Sequence, residues 1–294
     1  MTLEDLREWC SIPVERLTDH PALRIPFRLV RDSHELGREM AGELANLVER
    51  NNLAGRPTRV IVPCGPACWC RPFTEIVNLR RISLRGVDVF HMDECLDWQG
   101  RPLDRNHPFN FRSIMEHYFY GGIDSELNVP ERQRHWLLPG EIDRVREAIE
   151  AAPIDLTLGG WGQDGHVAYN QARRHPFGEV ALEDLERSSI RVQVNNLDTI
   201  LALAHRMFGA AYQFVPPMSV TLGMRECLSA RRVRLFSDTG AWKQTALRVA
   251  LFSNPTPEYP ISLLQRHPDA AITATVETAR HPISENPKWQ LLPP

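Results

Sequence analysis

The stretch IDLTLGGWGQDGH, residues 154–166, begins as a short apolar run and ends in glycines, an aspartate and a histidine. An apolar run of this length that is closed by glycine is typical of a strand buried in a parallel sheet. The chain contains five more apolar runs that predict strands: FRLVR (27–31), TRVIVPCGPAC (58–68), VDVFHMDE (87–94), RRVRLFSDT (231–239) and AAITATVE (270–277). Buried strands therefore recur along most of the sequence.

Helical patterns separate these strands. SHELGREMAGELANLVERNN (33–52) has apolar residues at helical spacing, and similar patterns lie at 106–119, 141–151 and 241–252. Short apolar strands that alternate with amphipathic helices predict an α/β fold, with a mainly parallel sheet and helices on both faces. We expect residues 27–280 to form this domain, after an N-terminal extension (1–26) and before a proline-rich C-terminal tail (281–294).

Composition excludes several classes of protein. The 294 residues include 34 basic and 37 acidic side chains, a balance that gives no reason to expect nucleic acid or a membrane as partner. The first ten residues do not resemble a secretory signal, and no apolar run is long enough to span a membrane. Six cysteines are too few for a disulfide scaffold, and their spacing matches no zinc pattern, so we expect a cytoplasmic protein without a metal site.

Reactive residues follow four of the predicted strands, in PCGPAC (63–68), HMDE (91–94), GGWGQDGH (159–166) and DTGAWK (238–243). Ligands of open α/β sheets bind outside the carboxyl ends of the strands. Glycines, acids and a lysine do not pack an interior well. Their recurrence at one predicted sheet edge therefore indicates an active site.

Four segments resemble the glucosamine-6-phosphate deaminase family, which is itself similar to the 6-phosphogluconolactonases. They are HMDE (91–94), GGWGQDGHVAYN (159–170), VPPMSVTLGMRECLSARRV (215–233) and ISLLQRHPDAA (261–271). The resemblance implies a modified doubly wound, Rossmann-like fold and a reaction without a cofactor. In that reaction an amino-sugar phosphate ring opens, a proton moves between carbons 2 and 1, and ammonia leaves as a ketose phosphate forms. We expect a sugar or sugar phosphate as the ligand and a homo-oligomer as the assembly.

The resemblance also assigns catalytic roles. Asp93 matches the proton-transfer base, although Asp93 and Glu94 could instead be an acidic pair that caps a helix. His166 matches the acid–base group that opens the ring, and Asp164 could fix its tautomer. The alternative is a loop histidine that bonds to backbone.

Binding roles follow from the same comparison. Lys243 matches a phosphate-binding lysine near a helix start, and only two of the 34 basic residues are lysines. Arg206 matches an arginine that closes over the phosphate. The backbone at Gly160, Gly162 and Gly165 would let amides approach the sugar.

Two departures from the family bear on the substrate. The family's phosphate loop reads Pro-Thr-Gly-Gly-Thr-Pro, whereas here Cys64 and Gly65 are followed by Pro66, which has no N–H to donate. Gln171 stands where the family has a glutamate that completes a relay with the histidine. We therefore predict that glucosamine 6-phosphate is a poor substrate, and that the preferred sugar differs at carbon 6 or lacks phosphate there. The segment 173–193 also differs from the family's lid.

Two other functions remain open at this stage. A family member with little catalysis could bind a sugar and signal, and the altered loop and Gln171 favour this alternative. A lactonase needs a histidine that activates water but has no use for Asp93. The combination of Asp93, Asp164 and His166 favours an active isomerase or deaminase.

Overall fold

The computed structural model describes residues 1–172, 181–286 and 288. The strands in this part of the chain are β1 (Phe27–Val30), β2 (Thr58–Val62), β3 (Val87–His91), β4 (Asp93–Leu96), β5 (Arg134–His135), β6 (Leu156–Gly159), β7 (Arg191–Val194), β8 (Met218–Thr221), β9 (Val233–Ser237) and β10 (Ala270–Thr275). Seven of these described strands form a parallel sheet in the order β1-β10-β9-β6-β2-β3-β5. The predicted parallel sheet is confirmed.

Helices cover both faces of this sheet. The described α-helices are α1 (Leu3–Ser11), α2 (Ser33–Leu53), α3 (Cys70–Arg80), α4 (Phe111–Met115), α5 (Ile142–Glu150), α6 (Leu182–Glu186), α7 (Leu197–Met207), α8 (Met224–Cys227), α9 (Gln244–Phe252), α10 (Val276–Ala279) and α11 (Pro282–Glu285). Successive side chains of a strand point to opposite faces. Val60 and Val62 accordingly join the apolar cluster that contains α2 and α3, whereas Ile61 joins the cluster that contains α5.

A second, antiparallel sheet, which the sequence did not predict, has the order β4-β8-β7. The stretch 87–94 looked like one strand, but it divides at Met92 between the two sheets. The Met92 N–H donates to the Val62 carbonyl (3.1 Å) beside the main sheet, and the Met92 carbonyl accepts from the Leu222 N–H (2.9 Å). This switch places Asp93 at the carboxyl edge of the main sheet, at the start of β4.

The predicted N-terminal extension packs against the body of the protein. Cys10, Val14 and Leu17 are buried, and the last two join the apolar cluster that contains α9. Arg248, itself fully buried on α9, donates from Nη2 to the Ile12 carbonyl (3.0 Å). Of the predicted tail, residues 287 and 289–294 lie outside the described residues, as do residues 173–180 of the divergent lid segment. None of the described helices is long and apolar enough to cross a membrane.

Candidate active site

The loops that follow β2, β3, β6 and β9 surround one cleft, which contains about 830 Å³ of empty space including its open mouth. This is the carboxyl edge of the main sheet, where the sequence placed the reactive residues. Eight of the predicted site residues line the cleft: Cys64, Gly65, Asp93, Gly160, Gly162, His166, Arg206 and Lys243. Asp164, Gly165 and Gln171 are not part of its lining.

Asp93 presents a carboxylate to the cleft that has no hydrogen-bond partner among the described residues. Desolvation, and then the neighbouring Glu94 carboxylate, raise the pKa of Asp93 to about 7, while His166 lowers it by a smaller amount. A carboxyl group with this pKa gains and loses a proton readily at neutral pH. Asp93 can therefore act as a proton carrier.

Glu94 has a different role, as a helix cap. Its carboxylate accepts from the backbone N–H groups of Cys95 (3.0 Å), Phe111 (2.8 Å) and Arg112 (2.8 Å). Two of these donors are the first residues of α4, whose N–H groups have no partner within the helix. The two neighbouring acidic residues therefore have different roles, and of the two only Asp93 lines the cleft.

His166 and Asp164 form a hydrogen-bonded pair beside Asp93. The distance from His166 Nδ1 to Asp164 Oδ1 is 2.6 Å, and the Asp164 side chain is almost fully buried. Burial by itself raises the pKa of Asp164, but the charge and hydrogen bond of His166 hold that pKa below its ordinary value. The imidazole also stacks on Tyr169, with the ring centres 5.6 Å apart.

Two positions in the loop after β6 are occupied by glycine for steric reasons. Any side chain at Gly162 would collide with the imidazole of His166, so the ring can occupy its position only over glycine. Gly165 has a φ of +77°, a backbone conformation that favours glycine. A Cβ at Gly165 would approach Tyr259 and Ile261 rather than the cleft, so its structural contribution is to turn the loop.

Gln171 does not make the direct relay to the histidine that the family comparison implied. Its Nε2 donates to Thr199 Oγ1 (2.6 Å), and the Thr199 hydroxyl lies 3.5 Å from Asp164 Oδ2. A chain of hydrogen bonds through Thr199 and Asp164 thus connects Gln171 to His166. The sequence analysis missed Thr199, because α7 is far from the Asp-Gly-His motif along the chain.

Lys243 supplies positive charge to the cleft from the N-cap position of α9. Its ammonium lies 5.8 Å from the centre of the Trp161 ring and has no hydrogen-bond partner among the described residues. Desolvation, followed by repulsion from Arg206, lowers the pKa of Lys243 to about 8, although Asp238 and Asp164 oppose this. Two cations that face one helix N-terminus form a site for an anion.

The loop after β2 also lines the cleft, through Pro63, Cys64, Gly65 and Pro66. Cys64 is a neutral thiol, because desolvation raises its pKa well above the ordinary value. A Cβ at Gly160 would lie 3.1 Å from the Gly65 carbonyl and 3.2 Å from the Pro66 ring, so glycine lets the two loops approach. Among the four lining residues of the loop after β2, the Cys64 thiol is the one side-chain donor.

Apolar and aromatic side chains that the sequence analysis did not select complete the cleft. They are Met92, Phe109, Phe111, Trp161, Ala168, Tyr169 and Leu203. Trp161 and Tyr169 lie inside the glycine-rich motif and could have been found from their position in it. Phe109 and Phe111 gave no signal, because apolar residues in a predicted helix are ordinarily assigned to the core. No group of metal-ligating side chains exists among the described residues.

Comparison with known proteins identifies similar sequences over most of the chain. No family model matches. Glucosamine-6-phosphate deaminase 2 of Mus musculus is 33% identical over 276 residues, which cover 86% of this chain and 91% of the mouse protein. The glucosamine-6-phosphate deaminase of Aliivibrio salmonicida is 28% identical over 255 residues, which cover 83% of this chain and 87% of that protein.

Solved structures show the same fold. A monomeric glucosamine-6-phosphate deaminase, described as a missing link of the NagB superfamily, superposes with a TM-score of 0.71 at 21% identity and covers 86% of this chain and 98% of its own. The 6-phosphogluconolactonase of Trypanosoma brucei superposes with a TM-score of 0.60 at 17% identity, covering 87% of this chain and 98% of its own. At these identities the structural likeness establishes the α/β fold alone.

Proposed function

The chain belongs to the glucosamine-6-phosphate deaminase family, and we propose that it converts an amino sugar or its phosphate into the corresponding ketose with release of ammonia. The carboxylate of Asp93 carries this proposal. It has no hydrogen-bond partner among the described residues, it lies in the same cleft as His166, whose Nδ1 is bonded to Asp164, and its pKa is raised to about 7. A protein that only binds a sugar has no use for a carboxyl group poised to exchange a proton.

Ring opening is the step assigned to His166. The Asp164 carboxylate holds Nδ1, so the other ring nitrogen, Nε2, is left to exchange a proton with the ring oxygen and the anomeric hydroxyl. Opening the ring exposes an aldehyde at carbon 1 beside the amine-bearing carbon 2. The hydrogen on carbon 2 is then acidic enough for a carboxylate to remove.

Proton transfer is the step assigned to Asp93. Its carboxylate takes the carbon-2 proton while His166 protonates the carbonyl oxygen, which gives an enamine-type intermediate. Asp93 then returns its proton to carbon 1, and an iminium forms at carbon 2. Water adds to this iminium and ammonia leaves, which yields the ketose. Water supplies the oxygen of the ketose, and the proton that it releases as ammonia leaves returns to His166, which gave its proton to the carbonyl, so the steps balance with water as the co-reactant.

An isotope experiment tests the proposed function. Amino sugars labelled with deuterium at carbon 2, with and without a 6-phosphate, are incubated with the protein in ordinary water. We expect loss of the label together with release of ammonia. Hydrolysis of a sugar lactone without exchange would identify a lactonase, and neither reaction would identify a sugar-binding protein.

Replacing His166 by glutamine is expected to slow the reaction of the cyclic sugar more than that of an open-chain substrate. Glutamine retains hydrogen-bonding capacity but cannot carry a proton near neutral pH. The measurement compares kcat for a cyclic amino sugar with kcat for a substrate that cannot close its ring. Equal losses on the two would show that His166 acts elsewhere in the reaction.

We also propose that the site prefers an amino sugar that differs from glucosamine 6-phosphate at carbon 6 or lacks phosphate there. A dianion that leaves water must recover its hydration through donors, and the Cys64–Pro66 loop offers few. We expect a kcat/KM for glucosamine 6-phosphate below roughly 10⁴ M⁻¹s⁻¹, the lower end of the ordinary range for enzymes. Steady-state kinetics against free glucosamine and related hexoses provide the comparison. A higher value would show that other residues suffice for the phosphate.

A cytoplasmic location and a homo-oligomeric assembly are further parts of the proposal. All six cysteines are free thiols, which fits a reducing compartment. Leu197, Tyr212 and Phe214 expose more than half of their surface. Exposed apolar side chains on neighbouring segments support self-association, which light scattering on the purified protein would measure.

A further inference from the structure

We propose that Thr199 and Gln171 are positioning residues that act together to hold Asp164 and, through it, the imidazole of His166. Among the hydrogen bonds of the described residues, neither side chain bonds to His166 itself. The proposal rests on the proposed function for its kinetic consequences, whereas the hydrogen-bonding arrangement itself is independent of the substrate.

The orientation of the Gln171 amide is fixed by its neighbours. The backbone N–H of Asn196 lies 3.1 Å from Gln171 Oε1, and the side-chain nitrogen of Gln193 lies 3.4 Å from the same oxygen. A backbone N–H can only donate, so the amide oxygen must face Asn196. The Nε2 group therefore faces Thr199, at 2.6 Å from its hydroxyl oxygen.

This orientation determines the direction of the next hydrogen bonds. Because the Thr199 oxygen accepts from Gln171, its own proton is available for Asp164 Oδ2, at 3.5 Å. The other oxygen of Asp164 then accepts from His166 Nδ1, at 2.6 Å. An ionised carboxylate is an acceptor only, so its two oxygens take these two donors, His166 at short range and Thr199 at the outer limit of hydrogen-bond distance. The result keeps one imidazole proton on Nδ1 and leaves Nε2 as the ring nitrogen that exchanges a proton with the substrate.

The three side chains of this hydrogen-bond chain are almost fully buried. Thr199 is 1% exposed, Gln171 4% and Asp164 5%. If an oxygen of a buried carboxylate loses its hydrogen-bond donor, no hydrogen bond offsets the free-energy cost of its desolvation. The hydroxyl at position 199 is therefore the available donor for this oxygen, and a side chain of the same shape without it would leave the carboxylate incompletely bonded.

The arrangement explains why glutamine at position 171 is not simply a glutamate without its charge. A glutamate in the same place would be an acceptor only and could not donate to Thr199. The Thr199 proton would then turn toward the glutamate, away from Asp164. Gln171 and Thr199 are thus a matched pair, and each residue needs the other.

The same contact joins the acid–base pair to α7. Thr199, Leu203 and Arg206 follow one another at i, i+4 and i+7 along this helix, and all three line the cleft. Residues at this spacing share one face of a helix. The Thr199 hydroxyl therefore ties the start of that face to Asp164, while Arg206 lies at its other end near the mouth of the cleft.

Three variants test the proposal. Thr199→Val removes the hydroxyl but retains the shape, Thr199→Ser retains the hydroxyl, and Gln171→Glu reverses the donor. We expect kcat to fall about 10-fold in Thr199→Val and in Gln171→Glu, the loss that one hydrogen bond to a charged group would produce. The Thr199→Ser variant should stay within about 2-fold of wild type, and KM should change little in all three because the ligand-binding cations remain.

Nitrogen NMR gives a readout that does not depend on turnover. The imidazole ¹⁵N shifts of His166, assigned through the loss of its signals in His166→Gln, report which ring nitrogen carries the proton. We expect the Nδ1–H form in wild type and in Thr199→Ser, and a reduced population of it in the other two variants. An unchanged tautomer in Thr199→Val, or failure of serine to restore it, would overturn the proposal. If the protein shows no deamination at all, this measurement still decides whether Thr199 positions His166.

Discussion

Replacing Asp93 by asparagine is expected to lower kcat by roughly 10²–10⁴-fold, the usual contribution of one acid–base group, while substrate binding survives. Asparagine has nearly the same shape but cannot accept a proton from carbon 2. Because the Asp93 carboxylate has no hydrogen-bond partner among the described residues, the substitution breaks no structural contact that could account for the loss. Kinetics and thermal shift with the same sugar measure the two effects separately.

The pH profile and a matched control sharpen this test. In wild type, kcat/KM should fall as the pH drops through about 7, because the pKa of Asp93 is raised to that value and protonation removes the base. Glu94→Gln is the control, since this neighbour accepts from two backbone N–H groups at the start of α4 and from that of Cys95. It should lower thermal stability more than turnover. Near-normal turnover in Asp93→Asn would refute the assignment.

Replacing Lys243 by methionine is expected to lower kcat/KM for glucosamine 6-phosphate by about 10²-fold, within the range for removing one partner of a desolvated charge pair. The same variant should react with free glucosamine within about 2-fold of wild type, because a sugar without phosphate makes no use of the ammonium. Methionine retains the length and apolar stem of lysine, so the packing against Trp161 is preserved. The two substrates are compared by steady-state kinetics.

The second lysine of the chain provides the control. Lys288 is exposed, and Lys288→Met should leave both substrates unaffected. In wild type, KM for the phosphorylated sugar should rise above pH 8, because the pKa of Lys243 is lowered to about 8 and the neutral amine no longer binds the phosphate. This rise should be absent in Lys243→Met. Equal losses on phosphorylated and free sugar would assign Lys243 to another role.

Local sequence patterns were enough to predict the main sheet. Six of the strands that pair in it were found from short apolar runs, and the helix α2 was found from its spacing of apolar residues. A strand that is buried on both faces is apolar at almost every position, so a short stretch of sequence is enough to identify it. β5 has two residues only, too few for any periodicity.

The candidate site was predictable where it is built from loops at strand ends. Asp93, His166 and Lys243 follow three different strands, and parallel strands bring their carboxyl ends to one edge. Gly162 and Asp164 belong to the same short loop as His166, so their contacts follow from the motif itself. The roles of all these residues stay predictions until the variants are measured.

Tertiary structure alone decided the rest. The antiparallel sheet pairs β4 with β8, more than a hundred residues later, and a local pattern does not encode a partner at that distance. It is this pairing that divides the stretch 87–94 at Met92 and leaves Asp93 facing the cleft. In the same way, Thr199 reaches Asp164 only because α7 packs over the loop after β6. The sequence by itself determined which loops carry the chemistry, and the packing of distant elements determined which side chains hold those groups in place.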